Sequence, residues 1–429
     1  MRARAISCGL TPSRRRWFIL GIAFGALVLN YFDRQIVAVL SVELKDAFGV
    51  GDRGYAMIAN VFLICYAISY PVGGWLVDRF GARIMMLLAI VTWSAACIGT
   101  GLSRALAPFL FFRGMLGIAE PTAYPAQLRA VAAWFPGTLR ATANSFCQAG
   151  SSIGAIAAPP LVAFLVFHFN WHTAFIVPGL VGFGVAACWW LIYRDPPAEI
   201  AEETLPSAST QATFTWPQLW RTRTLWGFLL WRFVSDPVWY FCIFWLPGYL
   251  RKSMGLSLGE IGTVAWIPFL AADLGALLTS ACSDSLVRRG VEPLRARKLM
   301  LTAAACFAPL CAVIPYLGNT AAVLAVFSIV AIMCLTWLFN LGVVVAETFP
   351  AANVGGVVGI AAGFGAAGGI VFNAIVGEAS EGFDLTPMFA VMAVLHPLAT
   401  VILWTMIRRE RPPRKATSAT YHLDAPPSA

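Results

Sequence analysis

Apolar windows of about 20 residues, the length that crosses the hydrocarbon core of a bilayer, can be drawn twelve times along this chain. They run over residues 17–40, 54–77, 83–103, 105–128, 141–167 and 171–193, then 224–250, 258–283, 298–317, 320–346, 355–378 and 384–407. Only 12% of the 429 residues are charged while 59% are hydrophobic, far from the charged share of about a quarter in a soluble globular chain. A spanning segment must satisfy its own backbone hydrogen bonds, which makes each window a helix. The expected fold class is an all-α polytopic membrane protein with 12 transmembrane helices.

Between the sixth and seventh windows lies the one long polar stretch, 194–223, with Pro196, Pro197, Glu199, Glu202 and Glu203. It reads as a linker between two halves. An N-terminal six-helix bundle then covers 17–193 and a C-terminal one 224–407, with tails at 1–16 and 408–429. The formal charge is +9, but the placement of the 30 basic residues says more than the sign. With these windows, 22 fall on the side of the tails and linker, five on the other (Lys45, Arg53, Arg104, Arg251, Lys252) and three inside windows (Arg34, Arg113, Arg232). Positive charge gathers on the cytoplasmic side of membrane proteins, so both termini are expected in the cytoplasm of a multi-pass protein of the cell (inner) membrane. Basic residues dispersed over short loops argue against nucleic acid as a partner. The arginine-led N-terminus imitates a signal peptide. Its apolar run continues through Asn30 and Asp33 with no small-residue cleavage site, so it reads as an uncleaved first span.

Nine of the ten cysteines lie in apolar windows and Cys8 lies in the tail, with no CxxC and no neighbouring histidine. They are expected to be small core residues. His168, His172, His396 and His422 likewise lack metal-ligand spacing. The chain shows no nucleophile–base pair, metal cluster or phosphate-binding loop, so neither a cofactor, a metal nor an enzyme is expected.

The halves look related. Phe135-Pro136 and Phe349-Pro350, Gly154 and Gly368, and Phe175 and Phe389 share one offset of 214 residues. Asp78 before Arg79 has a looser counterpart in Asp284 before Arg288 and Arg289. A common spacing kept in order argues for duplication. Two six-helix repeats about an axis along the membrane normal, with a site between them near the midplane, is the arrangement of one large transporter class.

Charges at membrane depth are costly and by default face a cavity and mark function. Arg113 and Glu120 stand in the apolar segment FLFFRGMLGIAEPTAYPA. Seven residues apart, they share a helix face about 10 Å apart along the axis. Pro121 and Pro125 bend or loosen the helix just past the acid. The first window adds Tyr31, Asp33 and Arg34. Asp33 and Arg34 lie about 100° apart on a helix and can serve different partners along one cavity wall. Neutralisation within a buried network is the plain alternative, although apolar residues would meet a purely structural need at lower cost.

Several segments resemble a known family. GGWLVDRFGAR, Gly73 to Arg83, is similar to the signature loop between helices 2 and 3 of the major facilitator superfamily. NYFDR, RGMLGIAEPTAYPA and AAWFPGTLRATANS resemble its anion:cation symporter family. RTRTLWGFLLWRFVSDPVWYFCIFWLPGYL, AWIPFLAADLGALL and GSSIGAIAAPPLV look most like hexuronate transporters, and Asp33-Arg34 is retained as in aldonate and aldarate carriers. The resemblance implies that Asp33 and Glu120 bind protons, that Arg34 and Arg113 handle the substrate carboxylate, and that Tyr66 contacts substrate. It also implies that Asp78, Arg79 and Arg83 form a cytoplasmic latch that stabilises one access state.

The physics of those roles stands beside the resemblance. Arginine stays charged when buried and its planar fork fits a carboxylate with two bonds. An acid beside it is pulled two ways, since desolvation favours the neutral form and the guanidinium the charged one. If the arginine turns to a substrate anion, the acid takes a proton more readily, so anion and proton each favour the other.

Other polar residues admit two readings. Gln148, near Asn144, Ser151 and Ser152, reads a hydroxyl or packs helices, and Asn340 and Asn373 carry the same pair of readings in the second half. Trp239 and Tyr240 offer aromatic faces to a sugar ring or sit at the membrane interface. Arg232 and Asp236, four apart on one helix face, can satisfy one another and read first as a structural ion pair, with a functional role as the second reading. Asp273 is isolated and expected to face a cavity. Eight glycines between Gly355 and Gly377 permit close helix approach without supplying chemistry.

The leading expectation is a proton-coupled secondary active symporter that imports a sugar-acid anion, a hexuronate such as galacturonate or glucuronate, by alternating access. Its partners are the small organic anion, protons and the lipid bilayer, and it acts as a monomer. The alternatives are a symporter of another organic anion (aldonate, aldarate, aromatic or dicarboxylic acid) and a non-transporting nutrient sensor. The short linker and tail disfavour the sensor.

Overall fold

The structure is a computed structural model that describes residues 11–194, 196–197, 214–382 and 385–410. Most of the linker, with Glu199, Glu202 and Glu203, and both tail ends lie outside the described residues.

Helices follow the twelve windows. The first half holds α1 (Pro12–Val39), α2 (Ser41–Phe48), α3 (Asp52–Leu102), α4 (Leu106–Ala119), α5 (Ala123–Trp134), α6 (Gly137–His168) and α7 (Thr173–Ile192). A short α8 (Trp216–Arg221) closes the linker. The second half holds α9 (Arg223–Phe244), α10 (Leu246–Met254), α11 (Leu258–Val264), α12 (Ile267–Arg288), α13 (Pro293–Ala305), α14 (Thr320–Thr348), α15 (Ala351–Gly382) and α16 (Thr386–Met406). Among the described residues nine helices are long and apolar enough to cross a membrane. Three windows are hidden from that number. The 51-residue α3 counts once but carries two windows, folded at Gly81, whose φ of 84° suits glycine. The fourth window is split by a 3-10 turn at Glu120–Thr122; the seventh, broken at Trp245, holds a 22-residue helix that is long enough but is made less apolar by Arg232, Ser235 and Asp236. Pro121 and Pro247 lack an N–H for the helical ladder, which accounts for both breaks. The turn expected just past Glu120 thus begins at the acid itself.

The sequence repeat is also a repeat in packing. Gly154 of α6 lies against the Val28 carbonyl of α1, and Gly368 of α15 against the Phe233 carbonyl of α9. A side chain at either would collide with backbone, so each glycine sets how closely two helices approach. Phe135 and Phe349 are both buried, extended residues that close their helices. Phe175 and Phe389 are both fully buried. Asp78 and Asp284 each face an arginine of a later helix, Arg129 at 3.7 Å and Arg297 at 2.6 Å.

The halves meet through α1 with α9 and α10, α3 with α15, and α6 with α11 and α12. On the face away from the linker the seam is closed. There Gly377 seats on Ala56 and Gly262 on Ala163. Arg251 reaches Glu43 at 2.7 Å, Lys252 reaches Asp52 at 3.3 Å, and Arg53 reaches Glu378 at 2.8 Å. On the linker face the halves part. Around the outside, large apolar side chains such as Ile68, Phe111, Leu277 and Val394 are exposed, as a hydrocarbon solvent allows. The cysteines divide accordingly. Cys97, Cys147, Cys242, Cys311 and Cys334 are the expected core residues, whereas Cys188, Cys282 and Cys306 lie on the outer surface, where lipid suits a small weakly polar thiol as well as a core does.

Candidate functional site

Three cavities share walls and narrow from the linker face toward the closed face. The outermost, about 1040 Å³, is walled by Tyr70, Trp75, Asp78, Tyr124, Trp216 and Trp220 among others. The next, about 300 Å³, takes in Tyr31, Arg34, Tyr66, Glu120, Gln148 and Arg232. The deepest, about 180 Å³, is bounded by Arg34, Phe62, Tyr66, Arg232, Asp236, Trp239 and Tyr240. Past Phe244 a void of about 30 Å³ lies beneath Lys45, Asp52 and Lys252.

Arg34 is the centre of the inner wall. Its Nε donates to Glu120 Oε2 at 2.7 Å and its Nη2 to Asn30 Oδ1 at 3.1 Å. The guanidinium lies 4.4 Å from the Tyr66 ring centre, 4.8 Å from Tyr31 and 5.5 Å from Phe62. Aromatic faces hold a cation without occupying its hydrogen-bonding fork. Helical spacing brings Asn30, Tyr31 and Arg34 to one face of α1, and the 3-10 turn delivers Glu120 from 86 positions away. Glu120 is buried, and its second carboxylate oxygen has no partner among the described residues.

Asp33 and Arg113 stand behind this wall and line none of the three cavities. Arg113 is wholly buried, and none of its three guanidinium nitrogens has a hydrogen-bond partner among the described residues. Its guanidinium lies 4.8 Å from the Phe62 ring centre, so one phenylalanine contacts both arginines. Asp33, also buried, has Cys97 Sγ at 3.6 Å. The turn of the helix sends Asp33 and Arg34 to different surroundings, as adjacent residues require.

In the second half, Arg232 Nη2 lies 2.5 Å from Asp236 Oδ2, and Ser235 Oγ donates to the other oxygen at 3.3 Å. Both members of the pair face the deepest cavity. A Cβ on Gly365 of α15 would overlap the Asp236 carboxylate, and one on Gly369 would overlap the Tyr240 ring. The glycine-dense helix is therefore the bed on which the charged and aromatic face of α9 lies. Trp239 and Tyr240 line the deepest cavity and Gln148 the middle one. Asn340 and Asn373 do not reach these cavities. Asn340 donates to the Thr336 carbonyl of its own helix at 2.8 Å, and Asn373 accepts from Trp245 Nε1 at 3.1 Å. Asp273 accepts from Ser152 Oγ of the other half at 2.7 Å, which places it on the seam between the halves.

Asp78 opens onto the outer cavity. Arg79 lies over Trp75 and Phe80 at 5.5 and 5.6 Å, and Arg83 over Trp190 at 4.5 Å. These partners and Arg129 all belong to the first half, so among the described residues the three brace α3, α5 and α7 and hold nothing across the seam in this state. Sequence reasoning missed Tyr70, Tyr124 and the tryptophans of α8. Tyr70 follows Tyr66 by one helical turn, a spacing the sequence displays; Tyr124 is aimed by the 3-10 turn, which it does not. α8 is fixed by Phe214, whose N–H donates to Asn353 Oδ1 at 3.0 Å and whose carbonyl accepts from Asn353 Nδ2 at 2.9 Å.

The Major Facilitator Superfamily profile matches residues 23–343. The chain is 28% identical over 435 aligned residues to a hexuronate transporter of Escherichia coli (strain K12), an alignment covering 96% of this chain and 98% of that one. It is 31% identical over 275 residues to a galacturonate transporter of Dickeya chrysanthemi, covering 61% of this chain and 80% of that one. Among solved structures it is similar to a bacterial homolog of the human lysosomal transporter Spinster in an inward-facing and occupied conformation. The TM-score is 0.75 at 17% identity, covering 92% of this chain and 97% of that one, and the likeness is one of fold.

Proposed function

The chain belongs to the Major Facilitator Superfamily of membrane transporters, and from that premise we propose that it is a proton-coupled symporter importing a sugar-acid anion by alternating access. Hexuronates such as galacturonate and glucuronate come first, because relatives named for them align over most of the chain. The observation that carries the reading is the 2.7 Å ion pair of Arg34 with Glu120 in the wall of a funnel closed at one end.

A carboxylate entering the funnel competes with Glu120 for Arg34, whose fork can accept one anion with two bonds. Glu120, released from the guanidinium, is then a buried charge without compensation unless it takes a proton. Anion and proton become linked ligands, each strengthening the other by the same factor. Asp33 is the second proton carrier in this reading. Arg113 supplies positive potential from behind Phe62 and meets the anion only when that ring moves aside. The basic loops support a cytoplasmic linker face and cytoplasmic termini, and in this reading the funnel is the inward-open state of an inner-membrane protein; the protein is proposed to act as a monomer. Arg251 with Glu43 and Lys252 with Asp52 then shut the outward door. Asp78, Arg79 and Arg83 latch the cytoplasmic side when the funnel closes.

The test uses the purified protein in liposomes. Glu120→Gln is expected to keep exchange of labelled galacturonate across the bilayer and to lose accumulation driven by a pH gradient. Full proton-driven accumulation in that variant would overturn the proton role. If galacturonate, glucuronate and galactonate are all left uncarried by the unaltered protein, the sugar-acid reading fails and the fold stands.

A further inference from the structure

Each half of the protein contributes one arginine to the same cavities. Arg34 comes from α1 and Arg232 from α9, and both line the middle and the deepest chambers. Tyr240 lies within electrostatic reach of both. Each arginine is held by a single acid through one nitrogen, Arg34 Nε by Glu120 and Arg232 Nη2 by Asp236. Arg232 is 6% exposed, and its Nε has no partner among the described residues. A purely structural pair could be exchanged for apolar side chains without loss of stability. The Arg232 Nε is enclosed against Gly365 of α15, so an acidic oxygen of a ligand would meet Arg232 where the rest of the side chain lines the chambers.

We propose that Arg232 is a second carboxylate receptor, so that the cavity suits a sugar diacid with Arg34 at one end and Arg232 at the other. The inference rests on the sugar-acid reading above but not on the hexuronate choice within it. A monoacid offers its charge to one arginine and leaves the other facing a carbonyl or hydroxyl. A diacid of the same carbon skeleton satisfies both forks, with the rings of Tyr66 and Tyr240 along its length. The pair keeps Arg232 charged and aimed, because Gly365 allows Asp236 to sit tight against α15.

The experiment is competition against labelled galacturonate uptake in liposomes holding the full chain. The competitors are galactarate and galactonate, which differ by the second carboxylate. Galactarate is expected to compete at roughly a tenth of the galactonate concentration, the effect of one charge-assisted hydrogen bond. Arg232→Gln is expected to raise the half-competing concentration of galactarate about tenfold more than that of galactonate. Arg232→Lys, with charge but no fork, falls between. Equal competition by the two acids in the unaltered protein overturns the proposal without any variant having to fold. Equal weakening of both acids by Arg232→Gln also overturns it. If no labelled galacturonate enters, the sugar-acid transport reading fails instead. The two acids are then compared by the shift each gives in the thermal unfolding temperature of the protein, and equal shifts overturn the diacid site.

Discussion

Arg34 and Glu120 sit 86 positions apart, one on α1 and the other on the turn between α4 and α5, whereas Arg232 and Asp236 sit one helical turn apart on α9. The chemistry is the same and the mechanics differ. A pair strung between two elements lengthens whenever those elements move, so its strength reports the state of the first half. A pair within one turn of one helix travels as a unit and presents the same charge in every state. The first arrangement suits coupling; the second suits recognition.

That contrast can be broken most severely at Arg34. Arg34→Gln removes charge-assisted bonds of roughly 3 kcal/mol, and the half-saturating concentration for transport is expected to rise about a hundredfold, measured by labelled uptake. Asp236→Ala strands Arg232 as a buried charge, at a cost of roughly 3–5 kcal/mol, read as a lowered unfolding temperature in detergent. The double change Arg232→Met with Asp236→Leu is expected to restore that temperature, since an apolar pair of similar size fills the same space. If the double variant stays as unstable as the single one, α9 needs its charges for folding and the contrast is wrong. A smaller effect comes from Gly365→Ala, whose Cβ would overlap the Asp236 carboxylate, expected to cost about 1–3 kcal/mol. Gly363→Ala, with nothing within 4 Å of the added carbon, serves as the matched control and stays within about 0.5 kcal/mol. Smallest is Arg251→Gln on the closed face. Loss of a partly exposed pair is expected to shift the balance of states by less than about 1 kcal/mol, seen as a few-fold gain in labelling of a cysteine placed at Ser41.

How much of this was legible in the chain depends on what each residue's chemistry demands. Windows of apolar residues announce helices because lipid leaves no alternative, and an Arg or Glu at membrane depth points to a cavity because burial elsewhere is costly. Glu120 and Arg34 were therefore visible, though not their contact, which depends on a turn that Pro121 makes possible. Arg113 looked like a cavity residue by the same rule and lies behind Phe62, because helical spacing gives a face and not its depth. Asn340 and Asn373 show the opposite problem. A neutral amide is cheap enough to serve packing, so sequence alone offers two readings, and the structure places both in packing contacts. The glycines of α15 read in sequence as spacing without chemistry, and in the structure they seat Asp236 and Tyr240. That role depends on which residues of α9 lie opposite, which no local pattern records.

The ion pairs on the closed face have a consequence for the medium around the protein. The side chains of Arg53 and Glu378 are 71% and 59% exposed, while those of Arg34 and Glu120 are 17% and 0% exposed. Dissolved ions screen exposed charges over a length of about 10 Å at 0.1 M and leave buried ones almost untouched. Raising the ionic strength on that side therefore loosens the closed face and spares the inner pair. A resting orientation that shifts modestly with salinity is the expected outcome, through residues outside the funnel.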